Sequence, residues 1–208
     1  MSLKEQIEYG TAPQLPDADG DFSTKVAQDL VRIDLACGAT KKEDFLGMDK
    51  FQVDGVDIVH DLLTFPWPIE SNSVWEFECS HFVEHIPITL PNGEYGLYAF
   101  MNEVYRCLMP GGTIHIRCPY YASIEAWQDP THTRGITDRT FTYFDKKIIE
   151  SAKLGHYSGM QCDFETVSKT MVLQPEWEHR ALEVRNQAIR LYNNVVQEIR
   201  FLLRKRIA

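Results

Sequence analysis

Short apolar runs, each closed by a small or acidic residue, organise the chain from Val31 onward. Their length and the turn residues that bound them are typical of buried β-strands. The residues before them, 1–23, mix Gly, Pro and acidic residues and predict a loosely structured lead-in with a short helix over 3–9. In the first half of the chain the runs predict four strands: Val31–Cys37, Phe45–Asp49, Val56–Asp61 and Val74–Ser80.

A helical pattern follows, and strands and helices then alternate to the end of the chain. Apolar side chains at 98, 101, 104, 105 and 108 share one helical face, and the run Pro110-Gly111-Gly112 ends that helix. Residues 197–206 either extend the last helix or form a strand, and the alternation of their apolar positions favours the strand. The other segments predict strands over 113–118 and 164–173 and helices over 137–155 and 176–193. This order is typical of an α/β protein with a mostly parallel sheet.

Charge and cysteine content narrow the class of protein. The chain has 21 Lys and Arg against 30 Asp and Glu, a formal net charge of -9, which argues against a large basic surface for nucleic acid. The five cysteines are scattered without a Cys-x-x-Cys pair, which favours reduced thiols over disulfides or a zinc knuckle. No signal peptide or membrane span is visible, so we expect a cytoplasmic protein. The basic residues near the C-terminus are expected to decorate a solvated edge strand: Arg200, Arg204, Lys205 and Arg206.

Acidic residues lie at or near the ends of three predicted strands. Asp34 lies within the first run ahead of Ala36-Cys37-Gly38, Asp49 closes the second run, and Asp61 closes the third. In an open α/β sheet, ligands bind outside the carboxyl ends of the strands, and small residues in the first turn let the backbone approach the ligand. Carboxylates there can accept hydrogen bonds from ribose hydroxyls and from the exocyclic amine of adenine. The pattern predicts a pocket for an adenosine-bearing ligand.

The phosphate-binding signatures are absent from the sequence. No Gly-x-x-x-x-Gly-Lys-Ser/Thr is present, and Gly38 stands alone after the first strand until Gly47, so no Gly-x-Gly-x-x-Gly is present either. A pyrophosphate needs that glycine-rich turn at a helix N-terminus. A nicotinamide-dependent oxidoreductase is therefore disfavoured, and an adenosine ligand without phosphates is favoured.

The ordered motifs resemble those of the class I S-adenosylmethionine-dependent methyltransferases. They are also similar to a small bacterial and phage subfamily with a shortened first helix and an Asp-Pro-Thr-His element after the fifth strand. The matching segments are 34–38, 47–49, 60–62, 80–86 and 103–112, with Asp129-Pro130-Thr131-His132 as the additional element. The resemblance implies a Rossmann-like α/β sandwich whose seven-stranded, mostly parallel sheet has an antiparallel edge strand, supplied by 197–206. It implies a single domain over 1–208, with a cofactor-binding core over 24–173 and a C-terminal helix and edge strand over 174–208.

The resemblance also implies a role for each motif residue toward S-adenosylmethionine, with S-adenosylhomocysteine as the product. The backbone of Ala36, Cys37 and Gly38 would face the methionine part and ribose, and Asp34 would order that turn and hold the amino group. Asp49 would bind the ribose hydroxyls, Asp61 with Leu62 would bind adenine, and Ser80 would lie beside the sulfonium. Ala36 stands where the family commonly has Gly, so we expect a negative φ there.

Two histidines are the catalytic candidates. His81, directly after the fourth strand, is the first candidate for a base that takes the acceptor's proton, and His132 is the second. A structural role for His132, fixed by Asp129 in a turn, stays open. His81 to His85 also match His-x-x-Glu-His, a zinc-protease pattern, but the methyltransferase motifs explain the same residues, so no metal is expected.

The acceptor is constrained only indirectly. No Asn/Asp-Pro-Pro-Tyr/Phe follows the fourth strand, where DNA amino-methyltransferases grip a flipped base. The negative charge then favours a small-molecule or sugar-like acceptor over nucleic acid. A non-catalytic S-adenosylmethionine-binding module or partner subunit is the alternative, with the apolar positions of helix 176–193 facing a partner. Assembly into a homo-oligomer also stays open.

Overall fold

One seven-stranded sheet organises the part of the chain that the computed structural model describes, residues 30–153 and 159–207. The predicted lead-in over 1–23 lies outside the described residues. The strand order is β3-β2-β1-β4-β5-β7-β6, with β1 to β5 parallel and β7 antiparallel to both of its neighbours. The strands are β1 (Val31–Leu35), β2 (Leu46–Asp49), β3 (Ile58–Val59), β4 (Val74–Ser80), β5 (Leu108–Pro119), β6 (Phe164–Leu173) and β7 (Val196–Lys205). The expected α/β class with a mostly parallel seven-stranded sheet is confirmed.

The antiparallel strand differs from expectation in its place within the sheet. Residues 197–206 were expected at the edge, and the strand over Val196–Lys205 does form, but it lies between β5 and β6. The edge strand is β6. It pairs antiparallel with β7 along its length, from Phe164 opposite Lys205 to Leu173 opposite Val196. The alternative of a continuous C-terminal helix is therefore wrong.

The described helices are short apart from the first. They are α1 (Gly96–Cys107), α2 (Lys146–Ser151), α3 (Pro175–Glu178) and α4 (Leu182–Leu191), with 3₁₀ turns at Val83–His85, Ile124–Ala126 and Thr140–Phe144. The single helix expected over 137–155 is wrong, because the Asp145 side chain accepts from the Lys147 amide and caps a separate helix after the 3₁₀ turn. The helix expected over 176–193 is likewise divided into α3 and α4. No helix of the described residues is long and apolar enough to cross a membrane.

The two faces of the sheet differ in polarity because successive strand residues point to opposite sides. On one face, Ile33, Phe77 and Ile114 are at most 1% exposed and join one buried cluster with Phe100 and Val104 of α1. The other face carries ion pairs. Glu78 Oε2 lies 2.7 Å from Lys42 Nζ and its Oε1 lies 3.1 Å from Arg117 Nε, while Glu76 Oε1 lies 3.2 Å from His115 Nε2. Parallel sheets are usually apolar on both faces, so this polar face is a particular property of the chain.

The basic C-terminal end is partly buried, which corrects the expectation of a solvated decoration. Lys205 is only 7% exposed, and its ammonium donates to Asn72 Oδ1 at 2.7 Å, to the Tyr105 carbonyl at 2.7 Å and to the Leu108 carbonyl at 2.8 Å. Arg206 pairs with the carboxylates of Asp145 and Asp163. Arg200 and Arg204 do remain exposed. The strand therefore ends by holding the C-terminus of α1 and the start of α2.

Candidate functional site

The carboxyl ends of four parallel strands form one edge, which we call the strand-end edge: Leu35, Asp49, Ser80 and Pro119 are the last residues of β1, β2, β4 and β5. Leu35 pairs with Met48 on one side and with Cys79 on the other, so the ends of β2 and β4 flank the turn after β1. The antiparallel β7 begins at the same edge, where Glu198 pairs with Pro119. This is the kind of edge at which open α/β sheets bind ligands.

The turn after β1 is tighter than the sequence suggested. Ala36 has a φ of 54° and Gly38 a φ of 56°, so the expectation of a negative φ at Ala36 is wrong. A left-handed conformation costs a non-glycine residue about 1–2 kcal/mol, which the surrounding structure must offset. The Cys37 amide donates to the Met48 carbonyl at 3.4 Å, and this contact to β2 requires the chain to turn at once.

Asp49 links this turn to the end of β2. Its Oδ2 accepts from the Gly38 amide at 3.0 Å, and its Oδ1 accepts from the Phe51 amide at 3.0 Å. An ionised carboxylate has about four lone-pair sites, so about two are left for donors from a ligand. Asp49 is half-buried and therefore still reachable.

Asp34 lies on β1 beneath the same turn and is buried, with 6% exposure. Its Oδ2 accepts from the Lys42 amide at 2.8 Å, which ties β1 to the chain beyond the turn. Burial raises the pKa of the Asp34 carboxyl; the Lys42 amide opposes this shift and the charge of Glu78 adds to it. The ionised form of this carboxyl is therefore disfavoured mainly because it is buried.

Asp61 and Leu62 follow β3, which is two strands away from β1 in the sheet order. Asp61 is exposed, and its Oδ1 accepts from the Leu63 amide at 2.9 Å. The Leu62 side chain belongs to the core with 3% exposure, and its carbonyl accepts from the Trp67 indole at 3.1 Å. These two residues lie beside the strand-end edge, on its β3 side.

Ser80 and His81 lie at the end of β4. The His81 backbone has a φ of 52°, and its amide donates to the Arg117 carbonyl at 2.8 Å. The imidazole is half-exposed and lies between two carboxylates, with Nδ1 3.4 Å from Glu84 Oε1 and Nε2 3.2 Å from Glu198 Oε2. These carboxylates, Glu84 foremost, raise the pKa of His81.

His132 lies in a second group of side chains beside His81. Its side chain is 8% exposed, and its ring centroid is 4.6 Å from that of His85. One ligand atom from each of Glu84, His85 and His132 falls within 4.8 Å of the others, and we call this group the Glu84–His85–His132 cluster. Sequence reasoning missed its assembly, although the His-x-x-Glu-His run and the Asp-Pro-Thr-His element were its signals. Glu198 was also missed, because its role depends on where β7 enters the sheet.

Comparisons with known proteins identify the fold. No protein-family model and no curated protein sequence matches the chain. Among solved structures, a SAM-dependent methyltransferase from Archaeoglobus fulgidus has a TM-score of 0.51 at 17% identity, covering 88% of this chain and 90% of that chain. A S-adenosylmethionine-dependent methyltransferase from Mesorhizobium loti has a TM-score of 0.52 at 13% identity, covering 88% of this chain and 96% of that one. The chain therefore has the fold of class I methyltransferases.

Proposed function

We propose that the chain is a S-adenosylmethionine-dependent methyltransferase that binds its cofactor at the strand-end edge. The observation that carries the proposal is Asp49. Its carboxylate holds the Gly38 and Phe51 amides and still has lone pairs for the two ribose hydroxyls. The turn of Ala36, Cys37 and Gly38 lies directly beside it, and no glycine-rich loop for a pyrophosphate is present in the sequence.

The other cofactor contacts follow from position along the same edge. Asp34, buried beneath the turn, would pair with the ligand's ammonium, which would offset part of the cost of burying its ionised form. Asp61 and Leu62 would hold adenine on the β3 side, and Ser80 would lie beside the sulfonium at the end of β4. The bound cofactor supplies an electrophilic methyl group, so the protein mainly orients the acceptor and excludes water.

The acceptor side is proposed at the entrance of β7. His81 lies between Glu84 and Glu198, beyond Ser80, and is our first choice for the residue that contacts the acceptor and holds its proton. His132 has its Nδ1 3.0 Å from the Ala126 carbonyl, so only its other nitrogen is available, and it is the second choice. The net charge of -9 supports a small-molecule or sugar-like acceptor over nucleic acid.

Calorimetric titration tests the cofactor assignment directly. S-adenosylmethionine and S-adenosylhomocysteine are expected to bind with one site per chain, and NAD is expected not to bind. The Asp49→Ala variant loses two charge-assisted hydrogen bonds to the ribose, about 1.5–3 kcal/mol each, so its affinity should fall by about 100-fold or more.

Asp54→Ala is the matched control, because it removes the same charge from an exposed position in the loop after β2. Its affinity should equal that of the wild type. If neither adenosyl compound binds the wild type, the proposed function is wrong. If both bind but Asp49→Ala binds equally well, only the ribose assignment is wrong.

Methyl transfer separates an enzyme from a non-catalytic cofactor-binding module. Incubation with S-adenosylmethionine and a panel of hydroxyl- and amine-bearing small molecules should release S-adenosylhomocysteine, detected by mass spectrometry. The His81→Ala variant is expected to keep cofactor affinity and to lose turnover. Cofactor binding without methyl transfer to any acceptor would favour the module.

A further inference from the structure

Glu84 is a buried carboxylate without a hydrogen-bond donor. It is 2% exposed, and neither of its carboxylate oxygens has a hydrogen-bond partner among the described residues. The nearest cation is His81, whose Nδ1 lies 3.4 Å from Oε1 without hydrogen-bond geometry. Burying a carboxylate in this way costs several kcal/mol unless a partner compensates it. Apart from this long contact to the half-exposed His81, both carboxylate oxygens remain available to a cation.

The hydrogen bonds of His132 and His85 leave one nitrogen of each ring free. His132 Nδ1 lies 3.0 Å from the Ala126 carbonyl, which can only accept, so this nitrogen carries the proton and Nε2 has the lone pair. Thr131 Oγ1 donates to Asp129 Oδ1 at 2.7 Å and therefore accepts from His85 Nδ1 at 2.9 Å. The His85 Nε2 lone pair is then free as well. Partners of this kind orient metal-binding histidines and set their tautomer.

The two chain segments that carry these groups are joined by hydrogen bonds to backbone carbonyls, two of them donated by the Arg134 side chain. The Thr133 amide donates to the Glu84 carbonyl at 2.8 Å, and Arg134 donates to the carbonyls of Ile86 and Pro87 at 2.7 and 2.9 Å. This holds the Asp-Pro-Thr-His element against the 3₁₀ turn Val83–His85. The cluster is thus fixed from both sides before any ligand arrives.

We propose that the Glu84–His85–His132 cluster binds a divalent transition-metal ion, with Zn²⁺ as the expected occupant. Two imidazole nitrogens and one carboxylate suit zinc or iron rather than magnesium or calcium. Ligand atoms about 2.1 Å from a shared ion lie at most about 4.2 Å apart, and one ligand atom from each of the three residues already lies within 4.8 Å of the others. Three protein ligands leave an open coordination position, as in catalytic rather than structural sites.

This inference departs from the sequence expectation of no metal. The zinc-protease pattern would use His81 and His85 as ligands. The cluster instead combines His85 with Glu84 and with His132, which comes from a distant segment. Asp129 and Thr131 then acquire a role in orienting His85. The Asp-Pro-Thr-His element supplies one ligand, His132, and the group that orients another, His85.

The cluster lies next to the proposed methyl-transfer position, and this step rests on the proposed function. Glu84 Oε1 is 3.4 Å from His81, which directly follows Ser80 at the proposed position of the sulfonium. A bound ion would therefore lie close to the acceptor.

Metal binding is tested on the untagged full chain without cofactor, so that its outcome is independent of the methyltransferase proposal. The chain is stripped with a chelator, dialysed and titrated with Zn²⁺, and with Co²⁺ as a spectroscopic probe. One equivalent of Zn²⁺ is expected to remain bound through gel filtration, and Co²⁺ should give visible d–d absorption. An excess of Mg²⁺ should not displace either ion.

Variants identify the ligands. His132→Ala and Glu84→Gln are expected to lose stoichiometric binding, whereas Thr131→Val, which removes only the support of His85, should weaken affinity by about 10–100-fold. His179→Ala is the matched control, since His179 is exposed and outside the cluster, and it should bind like the wild type.

Thermal melts keep the test decisive if a variant is disturbed. Without metal, Glu84→Gln should be at least as stable as the wild type, because it removes a buried charge that accepts no hydrogen bond. Zn²⁺ should raise the melting temperature of the wild type and not that of Glu84→Gln. Failure of the wild type to retain Zn²⁺, or equal retention by His132→Ala and His179→Ala, would overturn the proposal. Neither outcome would bear on cofactor binding.

Discussion

Lys205 is expected to be one of the residues on which the folded state depends most. Its ammonium lies at the C-terminal end of α1, where it donates to the carbonyls of Tyr105 and Leu108, and it also donates to Asn72 Oδ1. The last carbonyls of a helix have no partner within the helix and carry partial negative charge. Substitution by Met keeps the length of the side chain and removes the charge and all three donors.

The expected loss can be worked from these contacts. The bond to the Leu108 carbonyl is buried, and leaving that acceptor without a donor costs about 1–3 kcal/mol. Removing a positive charge from a helix C-terminus costs a further ~0.3–2 kcal/mol. Burial of the ammonium, which lowers the pKa of Lys205, is a cost that the Met variant recovers in part. We expect Lys205→Met to lower the free energy of unfolding by about 2–4 kcal/mol.

Urea denaturation and thermal melts measure this loss. A loss of about 2–4 kcal/mol corresponds to a fall in melting temperature of roughly 4–16 °C for a chain of this size. Arg204→Met is the matched control, because Arg204 is on the same strand and exposed, and its ion pair with the half-exposed Glu165 is long, at 3.9 Å. It should change stability by less than about 0.5 kcal/mol. If Lys205→Met is as stable as Arg204→Met, the assignment of Lys205 as a helix cap is refuted.

Two further predictions concern the proposed cofactor site. Burial raises the pKa of Asp34, and the cofactor's ammonium requires its ionised form, so affinity should weaken as pH falls through that raised pKa. The effect on stability has the opposite direction: the buried carboxyl favours the fold below its unfolded pKa, and this contribution is lost as pH rises through the folded pKa. Asp34→Asn should therefore bind weakly without this pH dependence and be no less stable at pH 7; an unchanged pH profile would contradict the role. Cys37, whose pKa is raised to about 11 by burial and then by Asp34 and Asp49, is half-buried, whereas the other four thiols are buried. Alkylation followed by mass spectrometry should modify Cys37 slowly and alone in the native protein, and S-adenosylhomocysteine should slow it further; no protection would place the ligand elsewhere.

Some of the site was predictable from local sequence. Asp34 and Asp49 were candidates because Asp34 lies near the end of one apolar run and Asp49 closes the next, and the position of a strand end is a local property of the chain. The conformation of Ala36 was not predictable in this way. Its φ of 54° follows from the contact of the turn with β2, which is made between strands and is not encoded in the turn itself.

The Glu84–His85–His132 cluster was likewise predictable only in part from the sequence. The run around Glu84 was visible in the sequence, but its third member comes from a loop after β5 that only the fold brings near. Whether Glu84 has a donor depends on every element packed around it. No local pattern carries that information, so the sequence favoured the absence of a metal.

The sequence by itself determined the class of the fold and the positions of the strands. Period-two alternation and helical spacing act over a few residues, so the strands β4 and β6 were predicted with the bounds that the structure shows. Tertiary structure decided which strands pair, and it put β7 inside the sheet, Glu198 at the strand-end edge and Lys205 under α1. These outcomes depend on contacts between residues far apart in the chain, whose energies are realised only when the whole sheet has assembled.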